Sequence, residues 1–292
     1  MILLTFLLQT LRLALPLLFA AAGGVMSERV GIIALTLEGF MLTGAFCGAL
    51  GAYYSGSAVI GLMAGVAGAT LASALLGVVT VRYRANQVVS GIAVNLLAVG
   101  ATTFFLRLAF DSSSNSPRIP GFGREGAGVA AATLTNPLVW MGVLALPAVW
   151  FLLFRTTFGL RVRAVGEHPE AATTAGVNVD SVRYAGVLLS GALAGLAGVY
   201  LAMEQHQFTN NMTAGRGFIA LAAVIFGRWM PMRVAAACIL FAAADSLSIL
   251  LGQVGAVPQQ FVSMIPFVLT IIAVAGIVGR SVAPAALGRA DA

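Results

Sequence analysis

Residues 155–183 read RTTFGLRVRAVGEHPEAATTAGVNVDSVR, the longest interruption with several charges in an otherwise apolar chain. Apolar runs at 137–154 and 184–203 flank it, each close to the length of about 20 residues that a helix needs to cross a bilayer. The chain therefore reads as an all-α polytopic membrane protein, with this segment a loop between two spans. Arg155, Arg161, Arg163 and Arg183 place that loop in the cytoplasm, by the bias of basic residues toward cytoplasmic loops. Inside it, Pro169 suits a first helical turn because its φ is already fixed, and Glu170 meets the positive end of the helix dipole. Gly176 supplies the stop. Two turns of helix at most are expected between them, with Glu170, Ala171, Ala172 and Ala175 forming a small-residue knob that another protein can approach closely.

Composition excludes most other classes. Charged residues make up 9% of the 292 and apolar residues 60%, whereas soluble domains carry about a quarter charged residues. All 16 basic residues are arginine. Without lysine there is neither a G-x-x-x-x-G-K-[ST] phosphate loop nor Schiff-base chemistry, so no ATPase site of that kind is expected, and no cofactor. The net charge of +6 reflects cytoplasmic loops rather than nucleic-acid binding. Cys47 and Cys238 lie in apolar spans without zinc spacing or a disulfide context, and His168 and His206 are isolated, so no metal site is expected. The first apolar run lacks a basic region ahead of it and reads as a span rather than a cleaved signal.

Taken in order, the spans are expected at 3–25, 32–51, 57–80, 88–107, 137–154, 184–203, 217–227, 234–251 and 259–278. That is nine segments in one domain, 1–292, with the amino terminus outside, the carboxyl terminus inside and most arginines on the cytoplasmic side. Arg12 is expected to snorkel outward, and Ser27-Glu28-Arg29 to be a short charged connector. Residues 217–227 give only about 16 Å of helix, half a hydrocarbon core, and read as a half-helix or a strongly broken span of the kind that borders transport paths. Arg228 to Arg233 follow with an interfacial tryptophan, Trp229. The largest outer loop, 111–136, is rich in serine, proline and glycine and shows no periodicity, so an unstructured linker is the default there.

Polar residues inside the spans are the candidates for a solute path, since each must find a partner in hydrocarbon. Glu38 has Gly31, Ala34 and Ala45 at helical spacing, a stripe that would let another helix come close. It contacts either solute or backbone donors at a broken helix. Asn95 shares a face with Gly91 and Thr102, and either bonds a neighbouring helix or lines the path. Asp245, with Ser248 and Gly252 on its face, completes the set. Gly61 with Gly65, and Gly191, Gly195 and Gly198, read as close-packing faces.

The Glu-Ala-Ala, three residues, Gly pattern at 170–176 resembles the coupling loop of ABC importer permeases. The longer blocks VRAVGEHPEAATTAGVNV (162–179) and LSGALAGLAGVYL (189–201) resemble the permease family serving simple sugars, nucleosides and branched-chain amino acids. SERVGIIALTLEGFMLTGAF (27–46), ANQVVSGIAVNLL (85–97) and RGFIALAAVIFGRW (216–229) are most similar to its nucleoside-type members. The resemblance implies about ten helices per subunit, here with the first missing. It implies a multi-pass permease of the bacterial inner membrane, surrounded by lipid, with Glu170, Ala171, Ala172 and Gly176 coupling it to a separate ATP-binding subunit. A second permease subunit of different sequence and an extracytoplasmic solute-binding protein, meeting the 111–136 side, complete the implied system. The spans' amides and hydroxyls suit a neutral nucleoside or sugar. A branched-chain amino acid permease and a standalone secondary transporter or channel, titrating Glu38 and Asp245, remain the alternatives.

Overall fold

A computed structural model describes residues 2–122, 129–254 and 282–289, and among these the chain forms eleven α-helices and no strand. They are α1 (Ile2–Arg29), α2 (Leu37–Ser55), α3 (Ala58–Gly77, running on into a π-turn to Arg82), α4 (Gln87–Phe110), α5 (Val129–Thr135) and α6 (Pro137–Arg155). Then come α7 (Thr157–Glu167), α8 (Pro169–Thr174), α9 (Val179–Glu204), α10 (Arg216–Phe226) and α11 (Pro231–Val254). Among the described residues six helices are long and apolar enough to cross a membrane: α1, α3 with its π-turn, α4, α6, α9 and α11. The expected span at 259–278 lies outside the described residues.

The centre of the bundle is α2, α3 and α9, with α1 laid against α9 and α11. Close approach here rests on missing side chains, because lipid-embedded helices gain from packing rather than from hydrophobic burial. Gly44 meets Gly195, where an added methyl would lie 2.7 Å from the Gly195 Cα, and Gly61 meets Ala52, where a methyl would lie 2.6 Å from its Cβ. Both expected glycine faces are thus packed faces. By contrast α4 packs mainly on α2 and turns Ile92, Leu96, Phe104 and Leu108 outward.

Three expectations are corrected by the packing. The connector at 27–29 is helical, so α1 carries Glu28 into the interior, where it is 2% exposed. Residues 31–34 are non-helical and 35–36 form a turn, so α2 starts only at Leu37 and Gly31 and Ala34 share no helical stripe with Glu38. The described part of 111–136 is ordered against the turn after α9. Ser116 N–H donates to Phe208 O (2.8 Å), Ile119 N–H to His206 O (2.9 Å), and Asn115 forms a β-bridge with Thr209.

Candidate functional site

The knob forms as the local chemistry dictates. Pro169 occupies the first turn of α8, Glu170 follows it, and Gly176 adopts φ +81°, closing the helix with Gly176 N–H to Thr173 O (2.9 Å) and Val177 N–H to Ala172 O (3.0 Å). This is the two-bond C-cap that favours glycine in the left-handed region. Glu170 and Ala171 are exposed, whereas Ala172 turns inward at 4% exposure. Ahead of the knob, α7 is a helix that the sequence reading missed, although Thr156 caps it by accepting from Gly159 N–H (3.1 Å). Between α7, α8 and the start of α9 lies a cleft of about 1040 Å³ lined by Leu160, Ala164, Ala171, Ala175 and Val182, with Arg161 and Arg163 at its rim.

The four path candidates do not converge. Glu38 and Asn95 meet around the start of α2, and each holds unwound backbone. Asn95 Oδ1 accepts from Gly39 N–H (2.8 Å) and its Nδ2 donates to Leu35 O (2.8 Å). Two turns earlier on the same helix, Gln87 does the same one step upstream, accepting from Ile33 N–H (2.9 Å) and donating to Gly31 O (3.2 Å). Gly91 between them has no side chain to hold off Leu35. The polar stripe of α4 is therefore a ladder of amides that satisfies a segment too irregular to satisfy itself, as backbone in hydrocarbon requires.

Glu38 does the equivalent for α10. Its Oε1 accepts from Gly215 N–H and its Oε2 from Gly217 N–H, both at 2.7 Å, at the positive end of that short helix. Gly217 is needed for the approach, since a methyl there would lie 2.6 Å from the Glu38 Cα. The other two candidates stand apart. Thr102 bonds back to Ala98 O in its own helix (2.7 Å). Asp245 sits on α11, which packs on α1, α10 and α6.

The residues missed from sequence form a knot at the end of α1. Trp229, expected at the membrane interface, is instead 5% exposed and its indole N–H donates to Glu28. The other Glu28 oxygen accepts from Ala34 N–H (3.3 Å). Arg29 donates from Nε (3.1 Å) and Nη2 (2.9 Å) to Trp229 O, which holds the Arg228-Trp229 turn, left-handed at both residues. Further back along α1, Arg12 pairs with Glu204 beside a pocket of about 380 Å³. Adjacent charges in 27–29 gave the only sequence signal for the knot, and they read equally well as a surface connector.

Among the described residues, broken helices braced by buried polar side chains accompany a short knob beside a cleft. The model of the branched-chain amino acid transport system permease component matches residues 6–274. The chain belongs to that permease family. It is 39% identical to the guanosine ABC transporter permease protein NupQ of Bacillus subtilis, covering 96% of this chain and 93% of that one. It is 37% identical to the nucleoside ABC transporter permease protein NupC of Lactococcus lactis, over 94% and 92% of the two chains. A putative glucose ABC transporter permease protein of Haloferax volcanii is 36% identical over 82% and 75%. No solved structure matches the chain. The protein is a multi-pass permease subunit of an ABC transport system in the inner membrane, as the family and the six apolar helices require.

Proposed function

We propose that this permease is one half of the membrane channel of an ABC importer for nucleosides, energised by a separate ATP-binding subunit that grips α8 in the α7–α9 cleft. The single observation that carries the cargo is its near full-length similarity to permeases named for guanosine and for nucleosides. A second permease subunit completes the channel. A solute-binding protein delivers from the side of 111–136, which is ordered enough among its described residues to serve as a docking face. Nine segments, including 259–278, run from an outer amino terminus to a cytoplasmic carboxyl terminus. The clustering of Arg29, Arg82, Arg155, Arg228 and Arg233 at one end supports this orientation. Glu38 and Asn95 act by holding the broken helices that border the path, while Thr102 lies two turns further along the same face of α4 and Asp245 on α11.

Reporter fusions test the orientation. A fusion at Ser114 is expected to be active only outside the cytoplasm and one near Glu170 only inside, and cytoplasmic activity at Ser114 would refute the arrangement. Uptake of labelled guanosine, ribose, glucose and leucine, by cells with and without this subunit, tests the cargo. Loss of guanosine uptake alone is the expected result. The glucose permease relative makes sugar import the second reading, and loss of sugar uptake alone would establish it.

Coupling has its own test. Gly176→Val forces a β-branched residue to φ +81°, a region where L side chains are strained, and Glu170→Lys puts a cation at the positive end of α8. Both chains are expected to insert normally while solute-stimulated ATP hydrolysis and transport fall together by at least about ten-fold, the loss from roughly 1.4 kcal/mol of coupling. Normal transport by both variants would remove α8 from the mechanism.

A further inference from the structure

Residues 282–289 lie against both the last turn of α7, immediately before the knob, and the unwound hinge between α1 and α2, beside the point where Gly166 of α7 packs on Arg29 at the end of α1. Ala286 N–H donates to Gly166 O (2.9 Å), Ala285 N–H reaches a Glu167 carboxylate oxygen (3.4 Å), and Gly288 N–H donates to Gly31 O (3.2 Å). Ala286 is 1% exposed. The surroundings are shaped to admit it. Gly31 holds φ +91°, and a methyl there would lie 3.1 Å from Ala286 O. Gly288, itself at φ +79°, brings its backbone against Ile33 of the hinge.

The hinge side of this contact is the segment on which the broken helices depend. From Gly31 the unwound chain runs to the start of α2, held on the way by Gln87 and Asn95, and Glu38 in the first turn of α2 carries the amides of α10. Backbone hydrogen bonds and small-residue contacts thus lead from the base of the knob, through 285–288, to both helix breaks. Coupling needs such a contiguous element, biased at one end by the ATPase and read at the other by the path.

We propose that residues 284–288 are a coupling strap, and that Ala286 and Gly288 are positioning residues that transmit movement of the knob to the α1–α2 hinge. This rests on the reading of α8 as the contact with the ATP-binding subunit. Among the described residues its hydrogen bonds to other elements run to α7 and to the hinge, so it should set how much solute moves per ATP and not how fast ATP is hydrolysed.

The test uses the full transporter in proteoliposomes, reconstituted with its ATP-binding subunit, second permease and binding protein. Guanosine uptake and ATP hydrolysis are measured on the same vesicles. Ala286→Pro removes the N–H that bonds Gly166, and Gly288→Val strains the left-handed residue that bonds Gly31. Each is expected to assemble and hydrolyse ATP as the parent does, while guanosine delivered per ATP falls at least about five-fold, the low end of coupling effects between sites. Ala286→Gly, which keeps the N–H, is expected to keep the parental ratio. An unchanged ratio in both variants, a parallel fall in hydrolysis and uptake, or loss of assembly in both would overturn the strap. A parent complex in which guanosine and the binding protein fail to stimulate hydrolysis would instead overturn the importer reading on which the strap depends.

Discussion

A Gly198→Leu chain is expected to be degraded rather than to accumulate in the membrane. Gly198 lies on the face of α9 that crosses α2, where any Cβ would overlap the carbonyl oxygen of Met41 and lie 2.7 Å from Ala45 N. Those are backbone atoms of a central helix and cannot rotate away, so α2 and α9 must separate. Separation also breaks the contact of Gly44 with Gly195 and that of Gly48 with Val199, in the most heavily packed part of the bundle. Overpacking a flexible core costs about 1–3 kcal/mol, and a rigid backbone collision exceeds that range. In lipid no hydrophobic force holds the helices together once they are apart. Gly100→Leu is the control: Gly100 sits on the outward face of α4 with no atom within 4 Å of an added Cβ, and the variant should accumulate as the parent does. Fluorescence-detected size-exclusion chromatography of the two variants in detergent checks this, and a monodisperse Gly198→Leu peak would refute the packing account.

Glu38→Ala carries the second large effect, on function more than on insertion. The substitution leaves the N–H groups of Gly215 and Gly217 without their acceptor at the buried start of α10, and hydrogen bonds to a charged partner contribute about 1.5–3 kcal/mol each. With that anchor on α2 gone, the first turn of α10 is expected to fray. Transport is expected to fall at least about a hundred-fold, equivalent to roughly 3 kcal/mol, with a lower melting temperature for the purified subunit. Glu38→Gln separates the two possible roles of the carboxylate. Its single oxygen keeps one of the two bonds, while its NH2 faces the other N–H, donor against donor, so an intermediate loss in both transport and melting temperature is expected. If Gln melts as Glu does and transport is nevertheless abolished, Glu38 acts on the solute or a proton rather than as a brace. Asn95→Leu should resemble Glu38→Ala in direction, because it removes the partners of Gly39 N–H and Leu35 O together.

What the sequence determined by itself is what depends on neighbours along the chain. The apolar runs that became α1, α3, α4, α6, α9 and α11 are legible because a helix in lipid satisfies its own backbone and needs only length and hydropathy. The knob is legible for the same reason: Pro169, Glu170 and Gly176 act on the turn they sit in. The glycine faces could be seen as faces, and the short helix at 216–226 as short.

The tertiary structure alone decided what each buried polar group serves. Glu38 meets amides 177 and 179 positions away, Glu28 an indole 201 away, and Asn95 a hinge 56 to 60 away. No local rule distinguishes a carboxylate that faces solute from one that caps a distant half-helix, because both need only burial and small neighbours. The difference lies in where other segments of the chain leave N–H groups unpaired. The breaks at 31–36 and at 211–215 are held from far along the sequence, Gly31 O by Gln87 and Gly215 N–H by Glu38.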